Sequence, residues 1–197
     1  MAIPTRTECY RLIFESGMLD HIVAHSLQVS RVALLLTDAL NASGADLDRP
    51  LIRSAALLHD ITKTRSLETG ERHSETGAEF LQARGYPEVA DIVRQHVRLD
   101  QYPEGGPVTP AEVVNYADKR VLHDRVAPLD ERLGYILERY GTDPTVRDRI
   151  ERVWRRTRSL EIRLFHSLPF SPQDLGRRFL SDAPDAEKTG FRKAVSR

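Results

Sequence analysis

The sequence predicts an all-α fold: a single globular helical bundle with a C-terminal extension. Apolar residues recur at helical spacing through most of the chain up to Phe165, helix-starting and helix-stopping residues bracket those stretches, and no segment alternates polar and apolar residues between turns as a strand would.

The elements follow in order. Pro4 and Thr5 open a first helix that runs to Ser16 and stops at Gly17. Asp20 is the expected N-cap of a long helix to about Ser43, in which Ile22, Val29, Val32, Ala33, Leu36 and Leu40 keep helical spacing. Asp48 caps the next helix, with Pro50 in its first turn and an apolar body of Ile52, Ala55, Ala56 and Leu58 that ends at His59-Asp60. Thr62 to Arg72 reads as a polar loop. A helix from Ser74 to Arg84 is closed by Gly85, and Pro87 opens another that reaches His96, so Gly85-Tyr86-Pro87 is a stop followed by a start. Thr109-Pro110-Ala111-Glu112 combines a cap, a proline at the first helical position and a glutamate at the third. The helix it starts is expected to carry Val113, Val114, Tyr116, Ala117, Val121 and Leu122. Two more span Leu129 to Tyr140 and Pro144 to Phe165. Residues 1–168 are therefore expected to form one domain, and 169–197 an extension with a short helix within Pro172 to Leu180 and a flexible tail from Ser181.

Charge is abundant and balanced, 29 basic residues against 29 acidic, which gives no general attraction to nucleic acid or to an anionic membrane. The basic run Arg152 to Arg158 is expected to be a solvated helix face. Cys9 is the single cysteine, so neither an internal disulfide nor a cysteine-based zinc site is available. No apolar run is long enough to span a bilayer, and Met1 to Tyr10 lacks the apolar centre of a signal peptide. The expectation is a cytoplasmic protein without a membrane or nucleic-acid partner.

The informative residues are polar groups standing where apolar ones belong. His25 lies one turn before Val29, His59 and Asp60 directly follow Ala55-Ala56-Leu57-Leu58, and Asp118 follows Val113-Val114-Asn115-Tyr116-Ala117. A carboxylate beside an apolar face needs a partner, because burying it unpaired is very costly. A divalent cation satisfies several such groups at once, and imidazole with carboxylate suits iron, zinc, manganese, cobalt or nickel.

Read together, His25, His59-Asp60 and Asp118 resemble the H…HD…D pattern of the HD superfamily of metal-dependent phosphohydrolases. "HSLQVSRVALLL", "AALLHDITK" and "NYADKRV" are similar to that family's ligand segments, and the likeness covers roughly residues 20–140. His73 and His96 match, in order, two further histidines that bind a second metal in one branch of the family. The resemblance implies one or two divalent ions held by His25, His59, Asp60, His73, His96 and Asp118, with Asp60 bridging a pair. It implies hydrolysis of a small phosphorylated substrate such as a nucleotide by a metal-activated water. Lys63, three residues past Asp60, is expected to act with Asp60 in catalysis and to bind substrate. Lys119 and Arg125 are expected substrate-binding cations, Arg125 because it falls two turns after Asp118 if the helix continues. His21, His123 and His166 are read as incidental. Two other readings share the ligand set: a dinuclear-iron oxygenase, and a regulatory module that binds metal or nucleotide without turnover.

Overall fold

Apolar stripes decide how the chain packs. The computed structural model describes residues 2–102, 105–180, 189–191 and 194, so most of the tail expected to be flexible, Ser181 to Arg197, lies outside the described residues. Helix α1 (Arg6–Glu15) starts at a capping box in which the Thr5 hydroxyl accepts from the Glu8 amide and the Glu8 carboxylate accepts from the Thr5 amide. Helix α2 (Asp20–Ala42) is the long central helix, and its buried side includes Val29, Val32, Ala33 and Leu36. Its N-cap is Leu19 rather than Asp20. Leu19 keeps extended backbone and places Asp20 in the first turn, where a carboxylate meets the positive end of the helix.

Helix α3 (Arg49–Leu58) is capped by Asp48, which accepts from the Leu51 amide, and its Ile52, Ala55, Ala56, Leu57 and Leu58 are all fully buried against α1 and α2. The stretch read as a polar loop contains helix α4 (Lys63–Thr69), ended by Gly70 at φ 73°. None of its residues is buried, so it leaves no apolar period to be read. Helices α5 (His73–Gln82) and α6 (Pro87–Gln95) pack on each other across the turn at Gly85, whose φ of 82° suits glycine. A methyl group on Gly77 would lie 3.3 Å from Val93 and 3.4 Å from Ile61, which shows how closely α5 approaches its neighbours.

Helix α7 (Pro110–Lys119) has the expected capping box at Thr109 and Glu112 but stops earlier than its apolar residues suggest. Val121–Leu122 forms β1 and pairs antiparallel with β2 (Arg125–Val126). Arg120 explains the change of backbone. Its carbonyl accepts from the Ala127 amide and its Nε donates to the Ala127 carbonyl, which stitches the chain back on itself. The buried Arg120 guanidinium also reaches Tyr116, Glu161 and the Pro172 carbonyl.

Helices α8 (Leu129–Tyr140) and α9 (Pro144–Phe165) form an antiparallel pair that packs on α7 through α9. Trp154 is buried there, its indole donating to the Leu129 carbonyl at 3.0 Å, while Arg152, Arg155, Arg156 and Arg158 face solvent. Helix α10 (Asp174–Leu180) docks with Leu175 fully buried. Among the described residues no helix is long and apolar enough to cross a membrane. The described residues form an all-α fold with one two-stranded ribbon.

Candidate metal centre

The core helices α3, α6 and α7 end at one place, where α5 begins and the first turns of α2 pass. His25 comes from α2, His59 caps the C-terminus of α3 with Asp60 following, His73 opens α5, His96 caps the C-terminus of α6, and Asp118 stands in the last turn of α7. His25, His59, Asp60 and His96 are each less than one-tenth exposed.

Their ligand atoms converge. His25 Nε2 is 3.1 Å and His59 Nε2 3.7 Å from Asp118 Oδ1. His59 Nε2 is 3.5 Å from Asp60 Oδ2, while Asp60 Oδ1 lies 3.1 Å from His73 Nε2 and 3.6 Å from His96 Nε2. Two overlapping groups have ligand atoms within 4.8 Å of one another: His25, His59 and Asp118, and His59, Asp60 and His96. His73 joins the second side through its Nε2, 3.1 Å from that of His96.

Backbone carbonyls fix three of the rings. The Nδ1 atoms of His25, His59 and His96 lie 2.8, 2.8 and 2.6 Å from the carbonyl oxygens of His123, Ala56 and Val93. A carbonyl can only accept, so each Nδ1 carries a proton, and a ring that is neutral presents its lone pair at Nε2. The Nε2 of His59 stands near oxygens of Asp60 and Asp118, which are also acceptors. His59 Nε2 and Asp60 Oδ1 are buried without a hydrogen-bond partner. Burial pushes the His59 imidazole down to about 4, so protonation does not resolve the conflict near neutral pH. A cation at the convergence does, and nitrogen with carboxylate oxygen is a transition-metal donor set.

The carboxylates are held ionised. Burial alone would raise Asp60, but Lys63, His59, His73 and His96 outweigh it and hold the carboxyl well below the usual range. Asp118 is likewise held low against its burial, first by the His25 hydrogen bond and also by the nearby charge of Arg132. Burial lowers His73 despite the pull of Asp60.

The three expected cations fare differently. Lys63, in the first turn of α4, places Nζ 3.5 Å from Asp60 Oδ1 and 3.3 Å from His73 Nε2. Lys119 is buried, and its Nζ donates to the carbonyls of His96 and Asn115 at 3.1 and 3.3 Å. It supports the backbone under His96, and burial lowers its pKa to about 8. For Arg125 the expected geometry does not hold: α7 ends at Lys119, and Arg125 stands exposed in β2, paired with Glu131.

Sequence reasoning passed over two contributors. His123 holds His25 through its main-chain carbonyl, which no side-chain pattern reveals. Asn115 donates to the carbonyls of Gln95 and His96, both at 2.9 Å, and joins Lys119 in fixing the end of α6. Its position one turn before Lys119 on a buried face was the available signal. His21 and His166 are exposed.

The ligand cluster forms one wall of a cavity of about 930 Å³, whose other wall is the α8–α9 pair.

The HD domain family matches residues 22–151. Over 110 residues the chain is 33% identical to Ribonuclease Y of Aquifex aeolicus, a stretch covering 54% of this chain and 19% of that protein. It is 37% identical over 79 residues to an uncharacterized protein of Methanocaldococcus jannaschii, covering 40% and 46%. The chain thus spans less than half the length of these relatives. A solved structure of a predicted HD superfamily hydrolase from an uncultured Thermotogales bacterium aligns with 81% of this chain and 90% of its own, at 20% identity and a TM-score of 0.46.

Proposed function

The chain belongs to the HD domain family, and from that premise we propose that it is a metal-dependent phosphohydrolase acting on a phosphoester or phosphoanhydride of a nucleotide or other small phosphorylated molecule. One observation carries the reading: three buried histidine rings, each fixed by a backbone carbonyl at Nδ1, turn their Nε2 atoms toward carboxylates that are held ionised.

His25, His59 and Asp118 would hold one divalent ion, and Asp60, His73 and His96 a second. Asp60 has one oxygen toward His59 and the other toward His73 and His96, the arrangement a bridging carboxylate needs. When bound, such ions supply Lewis acidity and a water acidified toward neutral pH. The chain supplies the rest. His123, Ala56 and Val93 orient the rings, the core helices exclude water from their inner faces, and Lys63 offers a positive charge to a phosphoryl oxygen beside Asp60. Residues 1–168 form the catalytic domain in this reading, and 169–197 an extension anchored by Leu175 and by the Arg120 bond to Pro172.

The ribonuclease name of the Aquifex relative favours a second reading, cleavage of an RNA phosphodiester, with the same metal ligands and a larger substrate. The test is turnover of a panel of nucleotides, aryl phosphates and short RNA by the full chain loaded in turn with manganese, iron, cobalt, nickel and zinc. Hydrolysis that His59→Ala and Asp60→Ala abolish supports the proposal. Metal-loaded protein that cleaves none of the panel overturns it.

A further inference from the structure

The wall opposite the metal ligands is built from two helical stripes of one kind. On α8 the residues lining the cavity are Arg132, Tyr135, Ile136, Arg139 and Tyr140, spaced three and four apart. On α9 they are Val146, Arg149, Ile150, Val153 and Trp154, with the same spacing. Such a stripe ordinarily seals a core. Here Arg132, Tyr135, Ile136, Val146, Ile150 and Val153 stay half-buried, because they face the cavity.

Charge on this wall is left open. Outward-facing arginines near it spend their charge locally: Arg158 on Asp130, Arg152 on Asp148, Arg125 on Glu131. Arg132 and Arg149 have no carboxylate in ion-pair range among the described residues. Arg132 lies over the Tyr135 ring, 5.7 Å from its centroid. Tyr135 meets the His123 ring edge-on at 5.2 Å, and the His123 carbonyl holds His25. The stripe is therefore joined by direct contact to the metal-ligand side. A guanidinium across the cavity from Lys63 and from the residues that would hold a cation is suited to an oxyanion reaching both sides, and the adjoining aromatic and apolar side chains are suited to a flat organic body.

We propose that the α8–α9 wall is the substrate-recognition surface, with Arg132 binding the terminal phosphate opposite Lys63 and the Tyr135–Ile136–Ile150 slot holding a flat base, so that the substrate class is a nucleoside monophosphate or a close analogue. This rests on the phosphohydrolase reading. A cavity of about 930 Å³ has room for one nucleotide with its phosphate.

The test measures binding and steady-state kinetics of the metal-loaded full chain with a nucleoside 5′-monophosphate, ribose 5-phosphate and a short RNA. Arg132→Gln is expected to raise KM tenfold or more for both small phosphates with a smaller change in kcat, and Arg132→Lys to recover part of the loss. Tyr135→Ala is expected to weaken the nucleotide while leaving ribose 5-phosphate nearly unchanged, which a general folding defect would not do. Unaltered KM in Arg132→Gln, equal affinity of the wild type for nucleotide and ribose 5-phosphate, or tighter binding of RNA than of the mononucleotide each overturns the proposal. Wild-type turnover with unaltered KM in Arg132→Gln sinks the wall and spares the hydrolase. Arg132-dependent nucleotide binding without turnover supports the wall and sinks the hydrolase.

Discussion

His25 Nδ1 lies 2.8 Å from the main-chain carbonyl oxygen of His123, and His123 reaches that position with a φ of 57°, the only positive value outside glycine among the described residues. The tight β1–β2 turn turns this carbonyl toward α2. Backbone in that region is costly for a residue with a Cβ, on the order of 1 kcal/mol. The strain buys the orientation of a buried ring.

His123→Gly keeps the carbonyl and relaxes the backbone, so metal content should match the wild type. His123→Val keeps the carbonyl but places a β-branched residue at positive φ, and should destabilise the fold by about 1–3 kcal/mol. Chemical denaturation of both variants, with metal analysis alongside, checks the pair. Equal stability of the two would show that the turn is not under strain.

Lys119 should prove structural. Its Nζ serves two buried carbonyls, so Lys119→Ala is expected to cost about 1–3 kcal/mol in denaturant unfolding. KM for the preferred phosphoester should change less than threefold. A tenfold rise in KM at unchanged stability would return Lys119 to the substrate.

Arg125 is predicted to be dispensable. It is exposed, stands in β2 and pairs with Glu131, outside the cavity lining. Arg125→Ala should leave both kcat and KM within twofold of the wild type, whereas Lys63→Ala should lower kcat/KM by at least an order of magnitude. Similar losses from both substitutions would contradict the placement of the two side chains.

Cys9 gives the pH prediction. Burial pushes its thiol up to about 11, above the ordinary value of 9.0. A raised folded-state value favours the protonated form, so the stabilising effect is fully present below pH 9.0 and is lost as pH rises from there through about 11. The native chain should resist thiol reagents at pH 8 and react only when unfolded. Stability should fall over that alkaline window and be less sensitive there in Cys9→Ala. Rapid modification of native protein at pH 8 would refute the burial.

How much of this was legible in the sequence depends on where each signal resides. Caps at Thr5, Asp48 and Thr109 act within a turn of the chain, and α8 and α9 begin and end where their residues say. The short helix expected within Pro172 to Leu180 is present as Asp174–Leu180. Helix α4 was hidden because it buries nothing, and the β1–β2 ribbon because Val121 and Leu122 continue an apolar helical pattern that Arg120 breaks by bonding across to Ala127. The histidines and aspartates that meet were readable because their side chains carry the chemistry. The His123 carbonyl was not, since any residue supplies a carbonyl and only the turn aims it. The spans of α8 and α9 were readable, but nothing in the sequence said that one face of the pair lines a cavity.

The most direct measurement is metal stoichiometry of the full chain after reconstitution with manganese, iron, cobalt, nickel or zinc, set beside His25→Ala, His59→Ala, Asp60→Ala and His96→Ala. One to two equivalents of at least one metal, lost in His59→Ala and Asp60→Ala and reduced in His25→Ala and His96→Ala, is the predicted result. A folded wild-type chain that retains none of these metals, or that retains them equally in all four variants, would contradict the account.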